Sequence, residues 1–262
     1  MNRMIKLLSL IICIPVFVLL VWVFAVPPEL IKEKIEKAVL QSGNGTTTLS
    51  IEGFSKGLLF TIEAQALNLN LNNLQAVQIT DFSASPSLEL IHEGKLSLAV
   101  NGLIGSGRLE GNFQLPSDGN MKIKQVQLKD IAIVSRLGFG INGTVSADID
   151  FSGNTAKAIF EVPDLALNDP SLDFIPLINT FNSMQGSLSI ANETISIESV
   201  SIEGEKGFAR LKGMIHRNQA DMQLQVMPET DKLNAMESMI LGKYIKSPGY
   251  YVVPLKGPIP GF

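Results

Sequence analysis

From Thr46 onward, apolar and polar residues alternate with a period of two. The clearest run is Leu67-Asn68-Leu69-Asn70-Leu71-Asn72, which sends leucines to one side and asparagines to the other. The same alternation marks Leu96/Leu98/Val100, Met121/Ile123, Val145/Ala147/Ile149/Phe151, Leu188/Ile190, Ile195/Ile197 and Met222/Leu224/Val226. Turn-forming residues separate the runs at Glu93-Gly94, Ser117-Asp118-Gly119, Ser152-Gly153-Asn154 and Glu203-Gly204-Glu205. Between Ile197 and Val200 the phase slips by one, which predicts a β-bulge. The pattern predicts roughly a dozen strands in an antiparallel sheet with one wet face.

Four segments break this rhythm. Residues 29–40 place Leu30, Ile31, Ile35, Ala38 and Val39 on one helical face, with Lys and Glu on the other. Pro27 and Pro28 suit the start of that helix and Gly43 its end. It either caps the sheet or lies on lipid as an interfacial helix. Residues 128–137, 172–184 and 231–245 also carry apolar residues at helical spacing, Phe174, Leu177, Ile178, Phe181 and Met184 in the second. They predict short helices that plug the ends of the sheet. The C-terminus predicts an aromatic strand followed by a proline–glycine tail.

Residues 7–26 (LLSLIICIPVFVLLVWVFAV) form one uncharged apolar run. About 20 such residues, at 1.5 Å each, span the ~30 Å hydrocarbon core of a bilayer. Arg3 and Lys6 precede the run, and a charge-balanced flank follows it. That asymmetry predicts a cytoplasmic N-terminus and a body on the far side. The competing reading is a signal peptide cleaved before Val26, after Val23 and Ala25. The run is longer than the usual h-region, and Pro27 and Pro28 crowd the site, so an uncleaved anchor is expected. The chain then divides into a tail and transmembrane anchor (1–26), a juxtamembrane amphipathic helix (27–43) and a β-rich domain (44–262).

Of the 262 residues, only Cys13 is a cysteine, and it lies in the apolar run. The body therefore has no disulfide, thiolate or Cys-metal chemistry. A net charge of −4 leaves no basic footprint for nucleic acid. The triplets at Asn44, Asn142 and Asn192 match a glycosylation acceptor that is common by chance. Gly138-Phe-Gly140-Ile-Asn-Gly143 matches a dinucleotide fingerprint, but the residues that follow alternate as a strand. Without a helix there to hold a pyrophosphate, these read as turn glycines. The two histidines, His92 and His216, are far apart and have no ligand spacing. No enzyme, cofactor or metal site is expected.

The apolar face carries the remaining chemistry. It is either a closed sandwich core or an open, aliphatic groove suited to acyl chains, and alternation alone leaves both open. In the groove reading its lining falls to Leu67, Leu69, Leu71, Leu96, Leu98, Val100, Ile195, Ile197, Met222, Leu224 and Val226.

A short basic tail, one anchor and a proline-marked exit precede SIEGFSKGLLFTIEAQALNLNL (50–71), which resembles the start of the GspN-type proteins of bacterial type II secretion. GKLSLAVNGLIGSGRLEGNFQL (94–115) resembles the next strand pair of that family. YYVVPLKGPIPGF resembles its closing strand and that of the wider AsmA-like group. The resemblance implies a single-pass protein of the bacterial inner membrane with a periplasmic body. It also implies a non-enzymatic accessory role in type II secretion, with other secretion subunits as partners. The AsmA-like relation implies an elongated, curved antiparallel sheet with an apolar inner face. Its function would be to bind phospholipid or transfer it between inner and outer membranes.

Overall fold

A computed structural model describes residues 17–43, 45–87, 97–114, 117–136, 140–167, 177–191, 194–217 and 219–258. The described residues form mainly antiparallel β structure, with a few short helices. It divides into two compact units, residues 1–103 and 104–262.

In the first unit, residues 17–20 are α-helical and Val21–Ala25 continue as a π-helix. Among the described residues no helix is long and apolar enough to cross a membrane; residues 7–16 of the predicted anchor lie outside them. Helix α1 (Pro28–Ser42) follows. Pro28 sits at its first turn, where no partner for an N–H is needed. Gly43 ends the helix by donating its N–H to Val39 O at 2.9 Å. Lys32–Glu36 and Lys37–Glu33 pair along the exposed side.

Strands β1 (Thr47–Glu52), β3 (Ile62–Leu71), β4 (Leu74–Pro86) and β5 (Ser97–Ile104) pair in that order, and β2 (Ser55–Lys56) pairs with β3. Helix α1 lies against β1. Its Ile35 joins Ile51, Ala64, Leu67, Leu49, Phe54, Ile79 and Phe82 in one apolar cluster. Glu36 also accepts the Ile51 N–H at 2.9 Å. Of the two expected roles for this helix, the contacts show the one that covers the sheet. Ala64 and Phe82 share the cluster with Leu67 and Ile79, so the side-chain phase slips between them. At that point Asp81 takes a φ of 49°, and β4 shifts register against β5 between Thr80 and Ser83. On the other face, Asn68 donates to Glu52 at 2.9 Å and Gln75 donates to Asn68 at 3.3 Å.

In the second unit the main strands are β6 (Gly107–Gln114), β7 (Asp118–Gln127), β9 (Thr144–Ser152), β10 (Thr155–Val162), β12 (Phe181–Ala191), β13 (Thr194–Gly204), β14 (Gly207–His216), β15 (Gln219–Pro228) and β17 (Tyr250–Pro258). Each pairs antiparallel with the next, and β16 (Ile245–Ser247) borders β17. The two-residue strands β8 (Ile141–Asn142) and β11 (Ala166–Leu167) pair with each other. Helices α2 (Ala132–Arg136) and α3 (Ala235–Gly242) complete the unit.

Two of the three short helical segments read from the sequence are present, over shorter spans. Residues 128–136 form a 3-10 turn and then α2, and α3 lies within 231–245. The helix expected over 172–184 is corrected. Residues 172–176 lie outside the described residues, Ile178–Thr180 make one 3-10 turn, and Phe181 already begins β12. Pairing with β10 and β13 on both sides overrides the local helical spacing. The tail beyond Pro258 is outside the described residues.

Candidate functional site

Residues paired across an antiparallel ladder share a face. In the second unit the register therefore builds four apolar rows running across the strands. The first contains Val162, Met184, Ile202, Ala209, Val226 and Tyr251. The second contains Phe160, Gly186, Val200, Leu211, Leu224 and Val253. The third contains Ala158, Leu188, Ile197, Gly213, Met222 and Leu255, and the fourth Ala156, Ile190, Ile195, Ile215, Ala220 and Gly257. The rows extend into β9 and β7 through Ile149 and Met121 in the third and Phe151 and Gly119 in the fourth.

The bulge in β13 makes this possible. Ile195 and Ile197 are odd-numbered, whereas Val200 and Ile202 are even-numbered. Strict alternation would put them on opposite faces. The register against β14 shifts between Ile197 and Val200, at the position read from the sequence, and one extra residue returns all four to one face.

Coverage of the face changes from one end to the other. The long connections β7–β9, β10–β12 and β15–β17 all leave from the end that carries the first row. They hold the short elements of the unit: Leu128 and Ile131, Leu165 and Leu167, Leu177, and Leu241 of α3. These pack with the first two rows into one core, in which Val162, Ala209, Val226 and Leu241 are fully buried. At the opposite end the connection β9–β10 is a tight turn, and β14 and β15 are separated by two residues. Toward that end the covering thins, and of the third and fourth rows only Ile197 and Leu255 are among the residues packed against the core. Leu188, Ile195, Ile197, Ile215, Met222 and Leu255 are half-buried, and Ile190 is 42% exposed.

The cap is fastened by polar contacts. Asn234 and Glu237 form a reciprocal capping box at the start of α3. Lys206, from the β13–β14 turn, donates to Glu237 at 2.7 Å. Burial of Glu237 works to raise its pKa. The hydrogen bonds from Lys206 and from the Asn234 N–H outweigh it and hold the carboxyl below its ordinary value. Asp164 accepts from both the N–H and the hydroxyl of Thr144, at 2.7 and 2.8 Å, and its pKa is lowered chiefly by the backbone bond.

The other face of the second unit is mostly polar, with Ile159 and Met214 exposed on it. Lys124 donates to Glu110 at 2.7 Å, Lys122 lies 3.5 Å from Asp148, and Lys256 lies 3.0 Å from Asp221. The bond from Lys124 lowers the pKa of Glu110. A hollow of about 680 Å³ lies on this face, lined by Lys122, Lys124, Asp148, Glu161, Ile159 and four serines, and it contains no histidine or cysteine. His216 ends β14 on the surface beside the Thr194 hydroxyl at 2.9 Å; His92 lies outside the described residues. Among the described residues, no group of three His, Cys, Asp or Glu side chains could hold a metal ion. Gly143 precedes strand β9, so the glycine fingerprint runs into a strand with no helix after it.

The residues assigned to a groove by alternation fall into three groups. Ile195, Ile197 and Met222 lie half-buried in the third and fourth rows, with Ile197, which packs against the edge of the core, and Met222 flanking Gly213 in the third. Leu224 and Val226 lie in the covered core. Leu67, Leu69, Leu71, Leu98 and Val100 belong to the first unit. There Leu67 pairs with Ile51 and Ile79, Leu69 with Leu49 and Val77, and Val100 with Ala84. Leu67 and Val100 are buried, while Leu69, Leu71 and Leu98 are half-buried. Leu96 lies outside the described residues. Pattern reading missed Ile215 and Leu255. In β14 the small residues Ala209 and Gly213 and the outward Met214 blur the alternation, and in β17 the adjacent Val252 and Val253 do so. No family model, curated protein or solved structure matches this chain.

Proposed function

We propose that this protein is a membrane-anchored, non-enzymatic β domain whose third and fourth apolar rows, at the thinly covered end of the sheet, hold the acyl chains of phospholipid. The observation that carries this reading is the continuation of one apolar face beyond its own core. A sheet that needed only a core would turn polar where its cover ends, because exposed aliphatic surface costs about 25 cal/mol per Å². Instead the third and fourth rows carry no polar side chain across β7–β17, eight strands or roughly 35 Å at 4.8 Å per strand, longer than an extended acyl chain. Contiguous apolar surface of this kind marks a binding face. The elongated, curved form of the sheet, the single-pass anchor, the periplasmic body and the inner-membrane address are parts of this proposal. They rest on the sequence pattern and on the resemblance to AsmA-like proteins.

The test uses the full chain extracted in mild detergent, with a photo-crosslinking side chain at Ile197, Ile215 or, on the polar face, Lys157. Phospholipid captured at Ile197 and Ile215 but not at Lys157 supports the reading. Equal capture at all three, or none, overturns it. A C-terminal alkaline phosphatase fusion that is active, in protein that stays with membranes through carbonate washing, supports the anchor and its orientation.

The accessory role in type II secretion, alongside other secretion subunits, rests on the likeness of residues 50–71, 94–115 and the closing strand. Loss of exported protein from a deletion strain, restored by the wild-type chain, supports it. Unchanged export with altered outer-membrane lipid leaves lipid transfer as the role.

A further inference from the structure

Beside the exit of the apolar N-terminal helix, the first unit presents an apolar tip that no strand requires. The β2–β3 turn runs Gly57-Leu58-Leu59-Phe60-Thr61. Leu58 and Leu59 are 67% and 68% exposed and Phe60 is 40% exposed. Leu59 and Phe60 both take left-handed φ values, 55° and 63°. L-residues with side chains this large rarely adopt that region. A turn selected only to reverse the chain would carry Gly or Asn there.

The turn is also built onto the helix end. Lys56 donates to Val23 O at 3.0 Å and to the carbonyls of Trp22 and Val26. Its ammonium thus satisfies three of the acceptors that a helix C-terminus leaves open. Trp22 Nε1 donates to Gly57 O at 3.0 Å, and its ring lies 5.2 Å from the Phe60 ring. Lys56 sits 5.5 Å above the Trp22 ring. Phe17, Val18, Leu20 and Phe24 on the same helix are exposed.

We infer that Leu58, Leu59 and Phe60 form a wedge that enters the lipid interface next to the anchor and seats the body against the bilayer. Tryptophan at a helix exit, with a lysine reaching back to carbonyls, is the chemistry of the headgroup boundary. A tip fixed to that point and carrying three apolar side chains meets hydrocarbon at the same depth. The occupant is the bilayer itself, because the tip is continuous with the apolar helix that enters it. This inference rests on the anchor part of the proposed function.

The experiment uses the full chain in phosphatidylethanolamine/phosphatidylglycerol vesicles, in a Cys13→Ser background. Nitroxide labels are placed singly through Leu58→Cys, Leu59→Cys, Val18→Cys and, as an aqueous control, Leu74→Cys. Power saturation compares access by oxygen, which partitions into lipid, with access by a water-soluble nickel chelate. Labels at 58 and 59 are expected to favour oxygen as the label at 18 does, with the opposite sign at 74. If 18 favours oxygen and 58 and 59 match 74, the wedge is overturned and the anchor stands. If 18 is aqueous too, both are overturned. Labels at 58 and 59 shielded from both reagents mean that protein covers the tip, and this also overturns the wedge.

Discussion

Lys206 Nζ donates to Glu237 Oε1 at 2.7 Å, tying the β13–β14 turn to the first turn of α3. The turn belongs to the sheet and the helix belongs to its cap. Leu241, four residues further along, is fully buried in the core that the cap closes. One carboxylate therefore serves the capping box and the fastening of the cap together.

The sign of its pH dependence follows from the lowered pKa of Glu237. Its contribution is fully present above the unfolded-state value and is lost as pH falls through the lower folded-state value. Glu237→Gln is expected to cost about 0.5–1.5 kcal/mol at neutral pH. The urea midpoints of variant and wild type should converge as the medium is acidified below the ordinary carboxylate range. A gap that stays constant into acid would show that the charge is not what fastens the cap.

Rows in the core and rows at the thinly covered end should respond differently to the same substitution. Leu224→Asp places an unpaired charge in the core and is expected to unfold the second unit. Ile190→Asp, at a side chain 42% exposed, should leave the thermal midpoint within a few degrees of wild type and reduce the phospholipid that co-purifies. Calorimetry and lipid extraction on the same samples read both quantities.

Gly213 takes a φ of 141°, and a Cβ there would stand 2.3 Å from Asp221 O and 2.6 Å from Met222 Cα. Both are backbone atoms of the neighbouring strand, which cannot step aside without breaking the ladder. Gly213→Ala is expected to destabilise by about 1–3 kcal/mol or more. Denaturant unfolding measures it, and a neutral result would mean that β14 and β15 are not held in this register.

In the first unit, Leu67 lies in the cluster covered by α1, and Leu69 lies two residues further along the same strand, half-buried. Leu67→Asp should make the unit accessible to limited proteolysis, and Leu67→Ala should cost about 2–5 kcal/mol. Leu69→Asp should remain resistant. Equal sensitivity of the two aspartate variants would mean that the cover extends over the whole leucine ladder.

The sequence by itself marked most of the strands, the face that side chains take within each alternating run and even the bulge after Ile197. Those properties are local: a period of two fixes the face, and a slip in the period marks an inserted residue. It likewise determined α1, whose proline start and amphipathic spacing need no distant partner. It misread residues 177–184, where helical spacing lost to strand pairing on both sides. It could not mark Leu58, Leu59 and Phe60, because three adjacent apolar residues have no period and only their placement beside Trp22 gives them a surface. Nor could it say that Leu224 is core while Met222, two residues away on the same face, is only half-buried. That was decided by the tertiary structure alone, because coverage depends on which connections are long enough to fold back over the sheet. The long ones leave from a single end.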